Sequence, residues 1–327
     1  MIFFSSLHRR RILAALLGTV AIGAFSQEAY PARPVTIVVP FPPGGAADTA
    51  LRALQPSLQR NLGQPVVISN RAGAGGAIGT AAVAQSKPDS YTLLFTFSSL
   101  AGLPEQAVVN RQTPLFGLDQ LTPVARITSD ATALVVKSDS PYRSAGELIA
   151  AAKARPGQIS YASSGNDGPS HMPTAMFADA AGVTFNHIPY PGGAQMITSL
   201  LAGQVDFASF SRSLVLPHVE AGKLRFLASY GEDRWPQQPS PAPLSEAGVR
   251  VNHVTWVGVF APAQTPPQTL ARLREALRGA STDPEFVQSV AKMGSTIAYL
   301  DGPAFEKYWL AEIAQAQETI RKIGRLE

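Results

Sequence analysis

The residues of this chain that could do chemistry are serines and histidines next to predicted strands. Ser163 and Ser164 end one such strand, and His171 and His187 follow within 25 residues. Together they could supply the nucleophile and base of a hydrolase. Neither serine, however, has the glycine two positions earlier that builds a G-x-S-x-G nucleophile elbow, and no acid stands at a diagnostic spacing to orient either histidine. The sequence therefore favours a binding protein over an enzyme, and an exported Ser/His hydrolase is the alternative.

Metal and nucleotide sites are not predicted. The histidines beyond the first 26 residues are well separated and lack the H-x-x-x-H pairing of a catalytic zinc site. The glycine run at 73–79 follows a strand, but its spacing is not G-x-G-x-x-G and no ribose-binding acid follows. We interpret these glycines as a tight turn between strand and helix. We expect neither a metal nor a cofactor.

Three glycine-rich loops, each between a predicted strand and a predicted helix, offer free backbone amides instead. In the loop 41–48 two prolines stiffen the turn and two glycines leave the backbone uncovered just before a helix begins. The amides of that first helical turn can hold an anion without a charged side chain. Asp48 is expected to orient these amides rather than to meet the anion. The loops 163–171 and 190–194 have the same position, and loops at the carboxyl ends of strands can converge on one cleft.

Alternating strands and helices must position these loops, and the hydrophobic pattern predicts such an order. The predicted strands are 34–41, 65–70, 91–97, 122–137, 159–163, 185–190, 205–210 and 224–230. The predicted helices are 47–62, 77–85, 144–154, 170–181, 194–202, 214–221, 269–278, 284–294 and one from 301 onward. Pro56 should kink the first helix and Gly63 should end it. This order predicts two α/β lobes with parallel, doubly wound sheets and a cleft between them.

The first 26 residues have the layout of an export signal. A short basic start through Arg11 precedes an uncharged run at 12–25, which is too short for the ~20 residues of a membrane span. We predict cleavage after Ser26 and export of the chain that follows; an uncleaved anchor is the alternative, and the arginines also loosely fit a twin-arginine signal.

Charge and composition exclude other classes of protein. Without the three arginines of the export signal, 24 basic and 23 acidic residues remain, so the chain lacks the basic surface that nucleic acids require. With 45% hydrophobic residues and no cysteine, the chain is neither disordered nor a disulfide scaffold.

Eight ordered motifs cover nearly the whole chain after the export signal. They are YPARPVTIVVPFPPGGAADTAL, LGQPVVISNRAGAGGAIGTAAVAQSKPDSYTLLF, PGQISYASSGNDGPSH, HIPYPGG, LLAGQVDFA, LPHVEAGKLRFLA, LSEAG and VGVFAPAQTP. Together they resemble the periplasmic substrate-binding proteins of tripartite tricarboxylate transporters, the Bug family.

This resemblance implies a type II periplasmic-binding-protein fold, in which two lobes, each a mostly parallel sheet flanked by helices, close on a small organic carboxylate. The implied partners are the integral membrane permease subunits of a tripartite transporter, or a sensor protein. We expect a monomer with a signal peptide at 1–26, a first lobe at 27–125 plus 228–327, and a second lobe at 126–227.

The resemblance also implies the ligand-binding residues. In the first loop, the amides of Gly44, Gly45 and Ala46 hold the carboxylate, partly through water. The segments 98–120 and 208–211 depart from the family pattern and are expected to border the distal end of the ligand, which leaves its identity open. The full expected set is Phe41, Gly44, Gly45, Ala46, Asp48, Ser98, Ser163, Ser164, Gly165, Gly168, His171, Tyr190, Gly192, Gly193 and Ser211.

Overall fold

The computed structural model describes residues 30–166, 168–231, 233–235 and 240–324. The predicted export signal and its cleavage site lie outside the described residues, as does Asp167 of the second-lobe loop. No helix in these described ranges combines the length and the hydropathy needed to cross a membrane.

Ten strands and ten α-helices make up the described chain. The strands are β1 (Val35–Val39), β2 (Val66–Asn70), β3 (Thr92–Phe97), β4 (Leu121–Lys137), β5 (Ser160–Ser163), β6 (Asn186–Pro189), β7 (Phe207–Ser211), β8 (Leu224–Ser229), β9 (Val254–Pro262) and β10 (Thr296–Asp301). The helices are α1 (Ala46–Leu62), α2 (Ala77–Ala84), α3 (Leu103–Val109), α4 (Ala145–Ala154), α5 (His171–Ala181), α6 (Gly193–Leu201), α7 (Arg212–Glu220), α8 (Pro267–Thr282), α9 (Pro284–Lys292) and α10 (Gly302–Ile323).

The long strand β4 belongs to both lobes. Its first part pairs antiparallel with β9 and β10, and its last part pairs antiparallel with β7 and β8. In the first lobe β1 lies parallel to β2 and β3, and in the second lobe β5 lies parallel to β6 and β7. Each sheet is therefore mixed rather than mostly parallel, because β4, β8, β9 and β10 run antiparallel to their neighbours.

Each lobe is stabilised by hydrophobic clusters on both faces of its sheet. In the first lobe α1 and α8 cover one face, while Trp256 and Phe260 of β9 pack against Phe305 and Trp309 of α10 on the other. Phe305 and Trp309 lie one helical turn apart, so both reach this core from one face of α10. Because these clusters are close-packed, each sheet is a rigid support for the loops that follow its strands.

The core clusters also indicate where one lobe ends and the next begins. Tyr230, Leu244 and Val251 pack with Phe177 and Phe207 of the second lobe. The pairing of β4 changes from β9 at Ala131 to β7 at Thr132. We therefore propose lobe boundaries at 131/132 and between β8 and β9, instead of the expected boundaries at 126 and 228.

The predicted end of α1 at Gly63 is confirmed, and the start of α4 is capped by a side chain. α1 runs through Pro56 as one helix and ends at Gly63, whose φ of 72° is left-handed. The hydroxyl of Ser144 accepts a hydrogen bond from the amide of Glu147 at 3.2 Å. The Glu147 carboxylate accepts from the amide of Arg143, one residue earlier than a standard capping box would have it.

Candidate functional site

Asp48 organises the loop between β1 and α1. Its carboxylate is 2% exposed, and Oδ2 accepts hydrogen bonds from the amide of Gly44 at 2.9 Å and from Nε of Arg52 at 2.8 Å. Oδ1 accepts from Nη2 of Arg52 at 3.0 Å and from Nδ2 of Asn70 at 3.1 Å. Burial tends to raise the pKa of Asp48, but the bonds from Arg52, Gly44 and Asn70 outweigh it and hold the pKa below its ordinary value. The carboxylate of Asp48 is thus charged at neutral pH and holds the loop through the amide of Gly44.

The start of α1 leaves several backbone amides unbonded within the described chain. Gly45 is the N-cap residue and has no side-chain cap, and the first helical bond runs from the amide of Thr49 to the carbonyl of Gly45. Within the described chain, the amides of Gly45, Ala46 and Ala47 have no acceptor. The amide of Gly44 donates to Asp48 at 2.9 Å, whereas the amides that follow it are unbonded in that part of the chain, and the expected contact of Gly44 with a ligand stays a prediction.

The second lobe presents a matching helix start. α6 begins at Gly193 after the N-cap Gly192, again without a side-chain cap, and its first bond runs from Met196 to Gly192 at 3.2 Å. In the same described part of the chain, the amides of Gly193 and Ala194 have no acceptor. The positive end of a second helix dipole therefore lies at this loop.

The loops of the two lobes meet around one chamber, the space between the starts of α1 and α6 and the ends of β3 and β7. The lobes are in contact here, since a Cβ placed on Gly192 would lie 3.0 Å from Cδ of Pro42. Seven of the expected residues line the chamber: Phe41, Gly45, Ala46, Ser164, Gly192, Gly193 and Ser211. Gly165 and Tyr190 line an adjoining cavity between the loop 72–76 and the second lobe.

The other expected residues lie outside this chamber. Ser98 lines a different cavity, between α10 and α5. Residues that line none of these cavities are Gly44, Asp48, Ser163, Gly168 and His171. Gly168 and His171 instead shape the loop behind the chamber, because their amides close turns onto Gly165 and Gly168. Contact of any of these residues with a ligand stays a prediction.

The chamber wall contains further residues outside the predicted set. They include the apolar Phe97, Met196 and Leu214 and the hydroxyl-bearing Thr132, Ser170 and Thr255. Ser209 and Phe210 also line the chamber, and both lie in the segment 208–211 that was expected to border the ligand. Phe41 packs against Phe97 with a centroid distance of 5.0 Å, so Phe41 belongs both to the core and to the wall. Phe97 and Phe210 end predicted strands, and this position in the sequence could have indicated that they lie next to the site.

The serine and histidines of the hydrolase alternative lie close together, but not in a catalytic arrangement. Oγ of Ser163 lies 2.6 Å from Nε2 of His187 and donates to the carbonyl of Gly165 at 3.0 Å. A hydroxyl has one proton, so Nε2 of His187 must itself donate and cannot accept the Ser163 proton. Ser163 is also fully buried and lies outside the chamber.

His171 and His187 form a stacked, uncharged pair behind the second-lobe loop. Their ring centroids are 4.1 Å apart with an interplanar angle of 14°. Burial and the neighbouring His187 lower the pKa of His171 to about 3, and burial lowers the pKa of His187 as well. Both rings are therefore neutral at pH 7, so they stack without repulsion between charges.

Two α/β lobes that share one long strand and meet around helix starts define a two-lobed solute-binding protein of the periplasmic type. Residues 50–325 match the model of the tripartite tricarboxylate transporter family receptor, and the chain belongs to this family of periplasmic solute receptors. The resemblance seen in the sequence motifs is confirmed.

Individual relatives agree with this assignment. The chain is 36% identical over 315 residues to protein BugT of Bordetella pertussis, an alignment that covers 96% of each chain. The structure of the periplasmic binding protein BugD superposes with a TM-score of 0.84 at 28% identity, covering 91% of this chain and 100% of BugD. Rpa4515 of R. palustris with adipate superposes with a TM-score of 0.83 at 28% identity, covering the same shares. The predicted two-lobed fold is thereby confirmed.

Proposed function

We propose that this protein binds a small organic carboxylate between its lobes and delivers it to the permease subunits of a tripartite transporter. The observation that carries the proposal is the pair of helix starts, one in each lobe, whose unbonded amides border the same chamber. Each helix N-terminus acts as roughly half a positive charge, so two of them balance about one carboxylate. The adipate bound by Rpa4515 is a carboxylate of this kind.

Closure of the lobes is the proposed signal to the transporter. Amides from both lobes can surround the ligand only when the lobes are together, so a ligand that uses both sets favours the closed state. We expect the receptor to act as a monomer, because each chain carries both halves of the site. A periplasmic sensor is the alternative recipient of the closed complex.

A thermal-shift comparison tests the carboxylate proposal. The protein is heated with a panel of small carboxylic acids and, in parallel, with the amides of the same skeletons. At a hundred times its dissociation constant a ligand adds about 2.7 kcal/mol to the unfolding free energy, which raises the midpoint measurably. We expect a shift with at least one acid and none with its amide. Equal shifts with acid and amide, or no shift with any acid, would contradict the proposal.

Delivery to a transporter requires a separate test in cells. Deletion of the gene should abolish uptake of the carboxylate that the protein binds. Normal uptake in the deletion strain, together with loss of a transcriptional response to that carboxylate, would favour the sensor alternative.

A further inference from the structure

Few of the hydroxyl groups that line the chamber have a proton left to donate to a ligand. The hydroxyl of Thr174 donates to the carbonyl of Ser170 at 3.1 Å, so its single proton is used. Ser209 must then donate to Thr174 at 2.7 Å, and Tyr230 must donate to Ser209 at 2.7 Å. The Ser209 hydroxyl therefore lines the chamber but has no proton to offer a ligand.

Two further pairs of hydroxyls are bonded to each other. Oγ1 of Thr132 lies 3.1 Å from Oγ1 of Thr255 and 2.9 Å from Nδ1 of His253. Oγ of Ser164 lies 2.9 Å from Oγ of Ser170. Among the described lining residues, the hydroxyl of Ser211 alone makes no hydrogen bond within the chain.

Charged side chains are equally scarce around the chamber. Among its described lining residues there is no lysine, arginine or histidine, and the sequence has no lysine or arginine at 41–48, 163–170 or 190–193. An adjoining cavity, which shares Phe97 and Leu214 with the chamber, contains Lys292, but the carboxyl group of Asp130 lies in the same wall. Thus neither the chamber nor the adjoining cavity offers a second carboxylate a cation without an acidic group beside it.

Apolar side chains from both lobes fill the rest of the wall. Phe41 and Phe97 come from the first lobe, and Met196, Phe210 and Leu214 come from the second. A ligand held at its carboxylate by the two helix starts would place the remainder of its body between these side chains. Burial of an apolar body there is favourable, whereas burial of an unpaired carboxylate is costly.

We infer that the chamber selects monocarboxylates with an apolar body over dicarboxylates of the same length. This inference rests on the proposed function, because it takes the two helix starts as the site of one carboxylate. The inferred ligand preference of this chain differs from the ligand of Rpa4515, whose structure contains the dicarboxylate adipate.

Matched pairs of acids test the inference by calorimetric titration of the purified protein. Hexanoate and adipate have the same carbon chain and differ by one terminal carboxylate, as do butyrate and succinate, and 4-methylbenzoate and terephthalate. We expect the monocarboxylate of the best-binding pair to have an affinity at least tenfold higher than its dicarboxylate. Hexanamide serves as the control for the shared carboxylate.

The possible results separate this inference from the proposed function. If a dicarboxylate binds as tightly as the monocarboxylate of its pair, or more tightly, the inference is wrong. The proposal that the protein is a carboxylate receptor is then still supported. If no acid of any pair binds, or if hexanamide binds as well as hexanoate, both are wrong.

A variant at Ser211 provides a second, independent test. Ser211→Lys adds an ammonium group to the wall at a position whose hydroxyl makes no bond within the described chain, and Ser211→Met is the uncharged control. We expect the hexanoate-to-adipate preference of Ser211→Lys to lie at least tenfold further toward adipate than that of Ser211→Met, which adds a side chain of similar length without the charge. Equal preferences in both variants would contradict the inference.

Discussion

The carboxylate of Asp48 accepts hydrogen bonds from the loop, from its own helix and from β2, through Gly44, Arg52 and Asn70. Its orienting role was predicted from its place in the first turn of the helix that follows the loop. The bond from Asn70 could not be predicted, because it depends on β2 lying beside β1.

Asp48→Asn should loosen this loop. Each oxygen of Asp48 accepts from two donor groups, so an amide turns its NH2 toward two of the four donors and leaves them unsatisfied. We therefore expect the unfolding free energy to fall by about 1–2 kcal/mol and carboxylate affinity to fall with it. Chemical denaturation and calorimetry measure the two effects. Asp139→Asn is the matched control, since Asp139 pairs with Lys137 at the surface, and its variant should keep both values. Wild-type affinity in Asp48→Asn would show that the carboxylate does not organise the site.

The neutral state of His171 makes a prediction about pH. Its side chain is 2% exposed and its pKa is about 3, whereas in the unfolded chain the pKa is about 6.5. Between these values the unfolded state binds more protons, so stability is complete above about pH 6.5 and falls as the pH is lowered toward 3. The contribution of His171 to this slope is at most about 1.4 kcal/mol per pH unit.

Denaturant titrations of His171→Gln between about pH 4 and 6.5 measure this contribution. As the pH falls, we expect the variant to lose stability less steeply than the wild type. The difference between the two slopes should correspond to the uptake of about one proton on unfolding. An unchanged slope would mean that His171 is already charged in the folded protein.

The start of α1 is the element on which the proposed site most depends. Gly45 has a φ of −76°, and a Cβ there would meet nothing closer than the carbonyl of Pro42 at 3.5 Å. A larger residue therefore fits the backbone but occupies the chamber. Gly45→Val should reduce affinity more than about a hundredfold while the melting temperature stays close to that of the wild type.

The control for Gly45→Val is Gly146→Val, in the first turn of α4. A Cβ on Gly146 meets only Oγ of Ser144 at 3.8 Å, and the residue is exposed. This variant should keep both affinity and melting temperature. A large drop in the melting temperature of Gly45→Val would show that the loop is needed for folding rather than for binding.

Elements with clear hydrophobic periodicity were predictable, and those without it were not. The strands and helices that flank the three loops lie within a few residues of their predicted positions. Three elements were missed: β9, β10 and α3. β9 is buried almost throughout, so its apolar run shows no alternation, and β10 is mostly half-buried, so it shows no period of two either. Their antiparallel pairing with β4 joins residues more than 120 positions apart, which local pattern cannot reveal.

At the scale of the whole molecule, the chamber exists only because the two lobes meet. Besides the approach of Gly192 to Pro42, Nη1 of Arg212 donates to the carbonyl of Gly294 across the lobes at 2.8 Å. The loops could be predicted from strand–turn–helix patterns. The segment of Phe210 was expected to border the ligand, but its meeting with Phe97 of the opposite lobe could not be predicted, since it depends on the tertiary fold.

The absence of charged side chains from the described chamber wall predicts weak salt dependence. Backbone amides are fixed dipoles in a site shielded from solvent, so ions screen them little. Carboxylate affinity should change less than about twofold between roughly 0.05 and 0.5 M sodium chloride, as measured by calorimetry. A steep loss of affinity with salt would point to a lysine or arginine in the binding site.

A crystal structure of the protein with its tightest-binding carboxylate tests the central claim most directly. We expect the lobes to be closed, with the carboxylate oxygens bonded, directly or through one water molecule, to amides at the start of α1 and at the start of α6. A carboxylate bound outside the chamber, or held by only one lobe with the other turned away, would contradict the account.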